Sequence, residues 1–355
     1  MKRRICITLA LAFIVSLFSG CGVASSSTPS GNSKPSNATQ QGSTTTPAKD
    51  AVVIKLAGIY GEFMTESQSM HMFEELLEER SNGYFDVQVY TASQLGSEDA
   101  LIEGIGAGAI EMACTGHVLA NYLPYAGLTD HSFVFDNLAH ARACLSDPET
   151  IKKTMAGDEE FGMITLGFAP SMFRCFFSKK PINSLEDLKG LRTRVTSAYC
   201  CYRSAECLGC NTVVLPMTEI FTSLEQGVID AVETPPIITH ANKYDEILKY
   251  VYPSNHMFTA HHWHINKEFY ESLPAEYQDM VVEVANECME WDWDAAEAAE
   301  AETYEAFKEA GMTIVYPTEE EIAEMKEMCS VMDDEVEKLN PGSKEIIEYM
   351  RSYPY

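Results

Sequence analysis

Ala51-Val-Val-Ile-Lys-Leu-Ala57, Phe85-Asp-Val-Gln-Val-Tyr90 and Ile110-Glu-Met-Ala-Cys-Thr115 are three short apolar or alternating runs, and helical periodicity fills the chain between them. Runs of this length bounded by Gly or turn residues read as strands. Between the first two, Met70, Phe73, Leu76 and Leu77 recur at helical spacing from Ser67 to Glu79, and Ser81-Asn82-Gly83 stops the helix. Between the second and third, Ser97 is placed to cap a helix running to Ile105. This β-α-β-α-β order predicts an α/β fold with a mostly parallel sheet covered on both faces. Such sheets hold ligands outside the carboxyl ends of their strands.

A second series of the same kind follows outward from there. Met163 to Phe168, Leu191 to Val195 and Thr212 to Leu215 read as strands, with helices from about Ser197 to Leu208 and from Thr218 to Gln226. Two α/β lobes are therefore expected. From Ser272-Leu-Pro274 to Ala310 nothing breaks a helix, and Gly311 is placed to end it. Roughly 36 residues at 1.5 Å each reach roughly 54 Å, farther than one small domain is wide, so this helix must touch both lobes. Its acids, Glu297, Glu300, Glu302, Glu305 and Glu309, read as a solvated face.

The chain has 355 residues, 46% hydrophobic and 22% charged, which suits two globular domains and excludes collagen, a wholly disordered chain and a polytopic membrane protein. Its 25 basic residues against 53 acidic ones give a formal charge of −28, so no broad basic surface exists to bind nucleic acid. Lys2-Arg3-Arg4 precede an apolar run from Ile5 to Phe18, long enough for a signal peptide and short of the ~20 residues a transmembrane helix needs. Ser19-Gly20-Cys21 ends the run and resembles a bacterial lipoprotein cleavage box, although Phe18 stands where Leu is commoner. Residues 1–20 are thus expected to be a signal peptide and Cys21 the lipid attachment point of an exported, membrane-anchored protein facing the outside or the periplasm; plain secretion is the alternative. Residues 21–50, rich in Ser, Thr, Pro and Gly, read as a flexible tether.

Of eleven cysteines, Cys6 falls in the signal segment and Cys21 takes the lipid. The odd remainder, Cys114, Cys144, Cys175, Cys200, Cys201, Cys207, Cys210, Cys288 and Cys329, forbids complete pairing and reads mainly as buried free thiols. Cys207-x-x-Cys210 lacks the second pair of a zinc ribbon, and His256, His261, His262 and His264 lack a carboxylate or cysteine at ligand spacing, so no metal and no cofactor is predicted. Gly104-Ile-Gly-Ala-Gly108 follows a helix, where a dinucleotide fingerprint must follow a strand. Neither a nucleophile elbow, a zinc-helix motif nor a phosphate loop is present, and an enzyme is not predicted.

Gln94-Leu-Gly-Ser-Glu98, Pro181-Ile-Asn-Ser-Leu-Glu-Asp-Leu-Lys-Gly190, Arg194-Val195, Leu208-Gly209, Pro216, Glu219 and Leu224-Glu-Gln-Gly-Val-Ile-Asp230 occur in series, continued by Asn255-His256, Phe269 and Leu273-Pro274. Each is weak alone. Their order over residues 51 to 350 resembles the extracytoplasmic solute-binding subunits of tripartite ATP-independent periplasmic (TRAP) transporters, the DctP-like family. The resemblance implies a two-lobed periplasmic-binding-protein-like fold, with lobe I at 51–171 and 260–299 and lobe II at 172–259 and 300–353. It also implies capture of a small carboxylate and its delivery to the small and large membrane subunits of an ion-gradient-driven permease. A lipoprotein receptor of an ATP-driven importer and a sensory lipoprotein are the rival readings.

In that family an arginine after the Asp-Leu-Lys-Gly segment grips the ligand carboxylate and maps onto Arg194, and a second maps onto Arg174. Guanidinium suits the task because it is planar, permanently charged and bidentate toward carboxylate. Arg192 competes with Arg194, since alternation sends both to one strand face. The family's usual asparagine is replaced by Thr234, which has one hydroxyl instead of a two-ended amide. Met217 and Phe221 stand where Phe and Tyr are common, and Met172 where Gly is usual. Glu62 and Glu66, in the loop after the first strand, and Gln94 are candidates for contact with ligand hydroxyls or amines. The changes at Thr234, Met217 and Phe221 argue against a simple C4-dicarboxylate and for a larger or more apolar acid.

Overall fold

The computed structural model describes residues 51–355; the signal segment, the tether and Cys21 lie outside the described residues. Among the described residues eleven strands form two sheets. The first contains β1 (Val52–Ala57), β2 (Phe85–Tyr90), β3 (Met112–Thr115), β4 (Met163–Phe173) and β10 (Phe258–Asn266), in the order β2-β1-β3-β10-β4. The second contains β5 (Cys175–Ser178), β6 (Arg192–Val195), β7 (Asn211–Val214), β8 (Ala231–Thr234), β9 (Tyr250–Tyr252) and β11 (Thr313–Ile314), in the order β11-β9-β5-β8-β6-β7.

The expected parallel core is present in each sheet: β1 pairs in parallel with β2 and β3, and β6 with β7 and β8. Each sheet also carries an antiparallel strand that periodicity does not announce. β10 runs antiparallel between β3 and β4, and β5 runs antiparallel between β8 and β9. Strand β4 extends five residues past the predicted Phe168 and carries Pro170, which is tolerated because β4 is the sheet's edge.

The first helix spans Thr65–Arg80 and buries Met70, Phe73 and Leu77 against the first sheet's core. The next spans Glu98–Gly106, with Ser97 accepting the Ala100 amide as its cap. The long helix spans Ala275–Glu309, with Gly311 just beyond at φ +74°, a left-handed conformation that Gly adopts at little cost. Along it, Val281, Val284 and Cys288 pack with the first sheet, while Phe307 packs with Phe177, Val232 and Val251 of the second. One helix thus serves both cores, as its length predicts.

Candidate functional site

The carboxyl ends of β1 and β3 deliver Tyr60 and His117, and those of β6 and β8 deliver Arg194 and Thr234. Arg194 is 6% exposed, and its Nε donates to the Leu215 carbonyl at 2.9 Å. Among the described residues no carboxylate lies within ion-pair distance of it. Burial, followed by the nearby charge of Arg174, lowers its pKa to about 10. A buried guanidinium with no counter-charge is costly unless an anion completes it.

Arg174, between β4 and β5, is 1% exposed and differently placed. Its Nε and Nη2 fork onto the Glu233 carboxylate, with Nη2 at 2.8 Å from Oε2 and 2.7 Å from the Glu233 carbonyl. Burial works to lower the Arg174 pKa, and the Glu233 charge overrides it and raises it. Burial likewise pushes Glu233 up, but Arg174 and His256 hold its carboxyl down at about 2. Only the Nη1 corner of Arg174 is left for a ligand. Arg192, the rival of Arg194, is engaged by Asp230 at 2.9 and 3.0 Å on a half-exposed edge.

Thr234 ends β8 opposite Cys175 and is 3% exposed, with no hydrogen bond from its hydroxyl among the described residues. Met217 is half-buried and packs against both the second-sheet core and a cluster containing Tyr60, Met64 and Met172, so it lies on the seam between the sheets. Phe221 packs into the core with Ile220 and Leu224. Glu62 is exposed and engaged by Thr91 and by His71 at 3.1 Å, and Gln94 is exposed in the loop before Ser97. Glu66 is buried, with Oε2 3.3 Å from His261 Nδ1. Burial, then the charges of Asp292 and Glu98, raise the Glu66 pKa well above its ordinary value. Met172 has φ +79°, the left-handed region where Gly is at ease, and sits beside a register shift in the β4–β10 pairing. That strained corner lies two residues before Arg174.

Five further groups join the site that the sequence did not mark as site residues. His117 is buried and makes no side-chain hydrogen bond among the described residues; burial, then the charges of Arg174 and Arg194, keep it neutral. Asp130 has a buried Oδ2 without a partner, and burial pushes its carboxyl up to about 8 against the Ala260 amide and the Arg174 charge. Glu98 accepts the Gly116 and Val118 amides at 2.6 and 3.3 Å, and burial, against those bonds, raises it to about 7. The Tyr60 and His261 rings lie 4.9 Å apart. The legible signal was position: Tyr60 and His117 both lie just past the carboxyl ends of strands.

A groove of about 740 Å³, lined by Phe63, Ile237, Lys243 and Ala299 among others, contains none of these groups. It is wide but lacks an arginine, and the chemistry points instead to the buried groups around Arg194. Among the described residues no cluster of His, Cys, Asp or Glu is arranged to hold a metal. The nine cysteines are all free thiols, with Cys207 half-buried and the rest buried.

Residues 58–339 match the family model of bacterial extracellular solute-binding proteins, family 7, or DctP. The chain belongs to this family. Its members are solute-binding receptors rather than enzymes, and this chain is a receptor of the TRAP class. The chain is 27% identical over 297 residues to the C4-dicarboxylate-binding periplasmic protein DctP of Rhodobacter capsulatus, covering 81% of this chain and 87% of that one. A TRAP solute-binding protein from Haemophilus influenzae with bound L-gulonate superposes with a TM-score of 0.80 at 27% identity, covering 84% and 98% of the two chains. Another from Desulfovibrio desulfuricans, with bound sn-glycerol-3-phosphate, gives 0.82 at 30% identity, covering 85% and 97%. The family is extracytoplasmic, and no helix among the described residues is long and apolar enough to cross a membrane.

Proposed function

We propose that this receptor captures a hydroxylated monocarboxylate, of the sugar-acid kind, and hands it to a TRAP permease of one small and one large membrane subunit. The observation that carries the reading is Arg194, buried with no anionic partner of its own. Around it, Arg174 and Glu233 cancel, His117 is neutral, burial raises Asp130 to about 8, and burial pushes Glu66 toward its uncharged form. The site therefore has about one positive charge to offset, which suits one carboxylate. A second carboxylate would find no second positive charge and would meet the partly ionised Glu98, whereas a hydroxyl finds acceptors and donors there.

Ligand contacts drawn from both sheets exist only when the lobes are closed, so ligand shifts the population toward the closed form that the permease receives. The lobes in this reading are residues 51–171 with 260–299 and 172–259 with 300–353, hinged beneath the long helix. Arg194 anchors the carboxylate, Arg174 Nη1 and Thr234 support it, and Met217 covers it from the seam. Cys21 carries the lipid that keeps the receptor at the membrane, and residues 21–50 give it reach.

The test is thermal melting of the protein against short mono- and dicarboxylates, sugar acids, keto acids and aromatic acids at fixed pH. A ligand of the folded state alone raises the melting temperature. The largest rise is expected with hydroxylated monocarboxylates. Arg194→Lys should weaken that binding more than tenfold, over ~1.4 kcal/mol, by losing the bidentate geometry. A flat panel, or unchanged affinity in the lysine variant, sinks the proposal.

A further inference from the structure

The helix Tyr199–Cys207 ends on one cysteine, and the helix Glu319–Cys329 ends on another. Cys329 belongs to an apolar cluster with Met325 and Met332, Cys207 packs against the same cluster, and the two thiols are close enough to influence each other's ionisation. The helix carrying Cys207 also holds the chain beyond Cys329. Arg203 forks onto Glu335 at 2.8 and 2.9 Å, and the Tyr199 hydroxyl donates to the same carboxylate.

Ser330 interrupts the helices between those two attachments. Met332 still packs with the second sheet's cluster, but Val336, Ile347 and Met350 pack with the first's. Cys329 is thus among the last points at which the tail is fastened before it crosses from one core to the other. Cys207 is half-buried where the other cysteines are buried, so an oxidant reaches it first.

We infer that Cys207 and Cys329 are a redox modification site, closing to a disulfide with a small disulfide as oxidant and pinning the C-terminal tail to the second lobe at its crossover. Cys207 is the attacking group: it is the more exposed of the two, and the neighbouring Cys329 thiol lowers its pKa, against burial, with the Arg203 charge adding to the effect. Its thiolate attacks one sulfur of the small disulfide, breaking that S–S bond and releasing one thiolate. Cys329 then gives up its proton and its sulfur attacks Cys207, expelling the second thiol. Two electrons pass from the cysteine pair to the small disulfide.

The experiment incubates the exported full-length protein in glutathione/glutathione disulfide buffers of graded ratio, quenches with acid, and maps linked peptides by mass spectrometry. A Cys207–Cys329 link is expected to rise from absent to the dominant species across the series. It should vanish in Cys207→Ser and in Cys329→Ser and persist in Cys210→Ser. Folded wild-type protein that forms no link at any ratio overturns the inference. So does glutathione stranded on Cys207 without transfer to Cys329, or a dominant link between Cys207 and Cys210. The wild-type map decides the matter by itself if a serine variant fails to fold.

Discussion

Arg174 and Arg194 are two buried arginines of one site with opposite arrangements. The first is held on two edges by Glu233, and the second has only a backbone carbonyl. Burying either charge costs several kcal/mol before compensation. At Arg174 the compensation is internal, so the pair belongs to the folded protein whether or not ligand is present. At Arg194 it is missing, so the protein bears an unmet electrostatic cost, which the proposed anionic ligand would offset. A receptor has reason to separate the two jobs: one arginine fixes the shape of the cradle and the other supplies the charge difference that makes binding favourable.

The comparison breaks most easily at Glu233. Glu233→Ala leaves Arg174 buried and unpaired, and should cost roughly 3–5 kcal/mol of stability, read as a lowered urea midpoint. An unchanged midpoint would show that Arg174 finds solvent or another partner. Arg194→Met is the converse. It should abolish anion binding, with a loss of at least about 2–3 kcal/mol expected for a charged hydrogen-bonded contact, while the ligand-free protein melts no lower than wild type. A large fall in ligand-free melting temperature would make Arg194 a structural residue like its neighbour.

Much of this frame was legible because it is local. The strands and helices from Val52 to Thr115 show their periodicity within a few residues, and Ser97, Pro274 and Gly311 mark helix boundaries. β10 was not legible: Phe258-Thr-Ala-His-His-Trp-His-Ile-Asn266 is buried at every position, and its three histidines hide the apolar pattern of a central strand. Arg194 stood out through its motif, but the quiet role of Arg174 depends on Glu233, 59 residues away in sequence and adjacent only across the β5–β8 pairing. Asp130 and His117 gain their character from burial, in both cases near Arg174, a property of the tertiary structure alone. The Gly-to-Met departure at Met172 was legible as a difference, and the backbone supplies its meaning: a positive φ before Arg174 that a β-carbon makes costly.

The buried acids also predict how stability follows pH. Asp130 and Asp292 are raised by burial to about 8 and about 7, so the folded protein keeps protons that the unfolded chain releases. That contribution is present below the unfolded value of 3.8 and is lost as pH rises toward 8. Glu233 has the opposite sign: lowered to about 2, it stabilises above 4.5 and fails as pH falls toward 2. Melting temperature should therefore climb from pH 8 to about 5 and drop below about 4. Asp130→Asn should flatten the upper limb, and a wild-type profile that rises steadily from pH 5 to 8 would contradict the protonated acids on which a single-charge site depends.

The smallest effect expected is at Thr234, which shares the carboxyl end of the second sheet with Arg194 but has one hydroxyl to offer. A neutral hydrogen bond is worth about 0.5–1.5 kcal/mol net, so Thr234→Ala should weaken ligand binding only a few-fold, measured by titration calorimetry. Thr234→Asn restores the family's amide and should favour ligands with an acceptor and a donor side by side over those that satisfied the hydroxyl. If Thr234→Ala costs as much as Arg194→Lys, the anchoring does not rest on the unpaired charge. If it costs nothing, Thr234 is only the end of a strand, and the contrast between Arg174 and Arg194 carries the binding energetics without it.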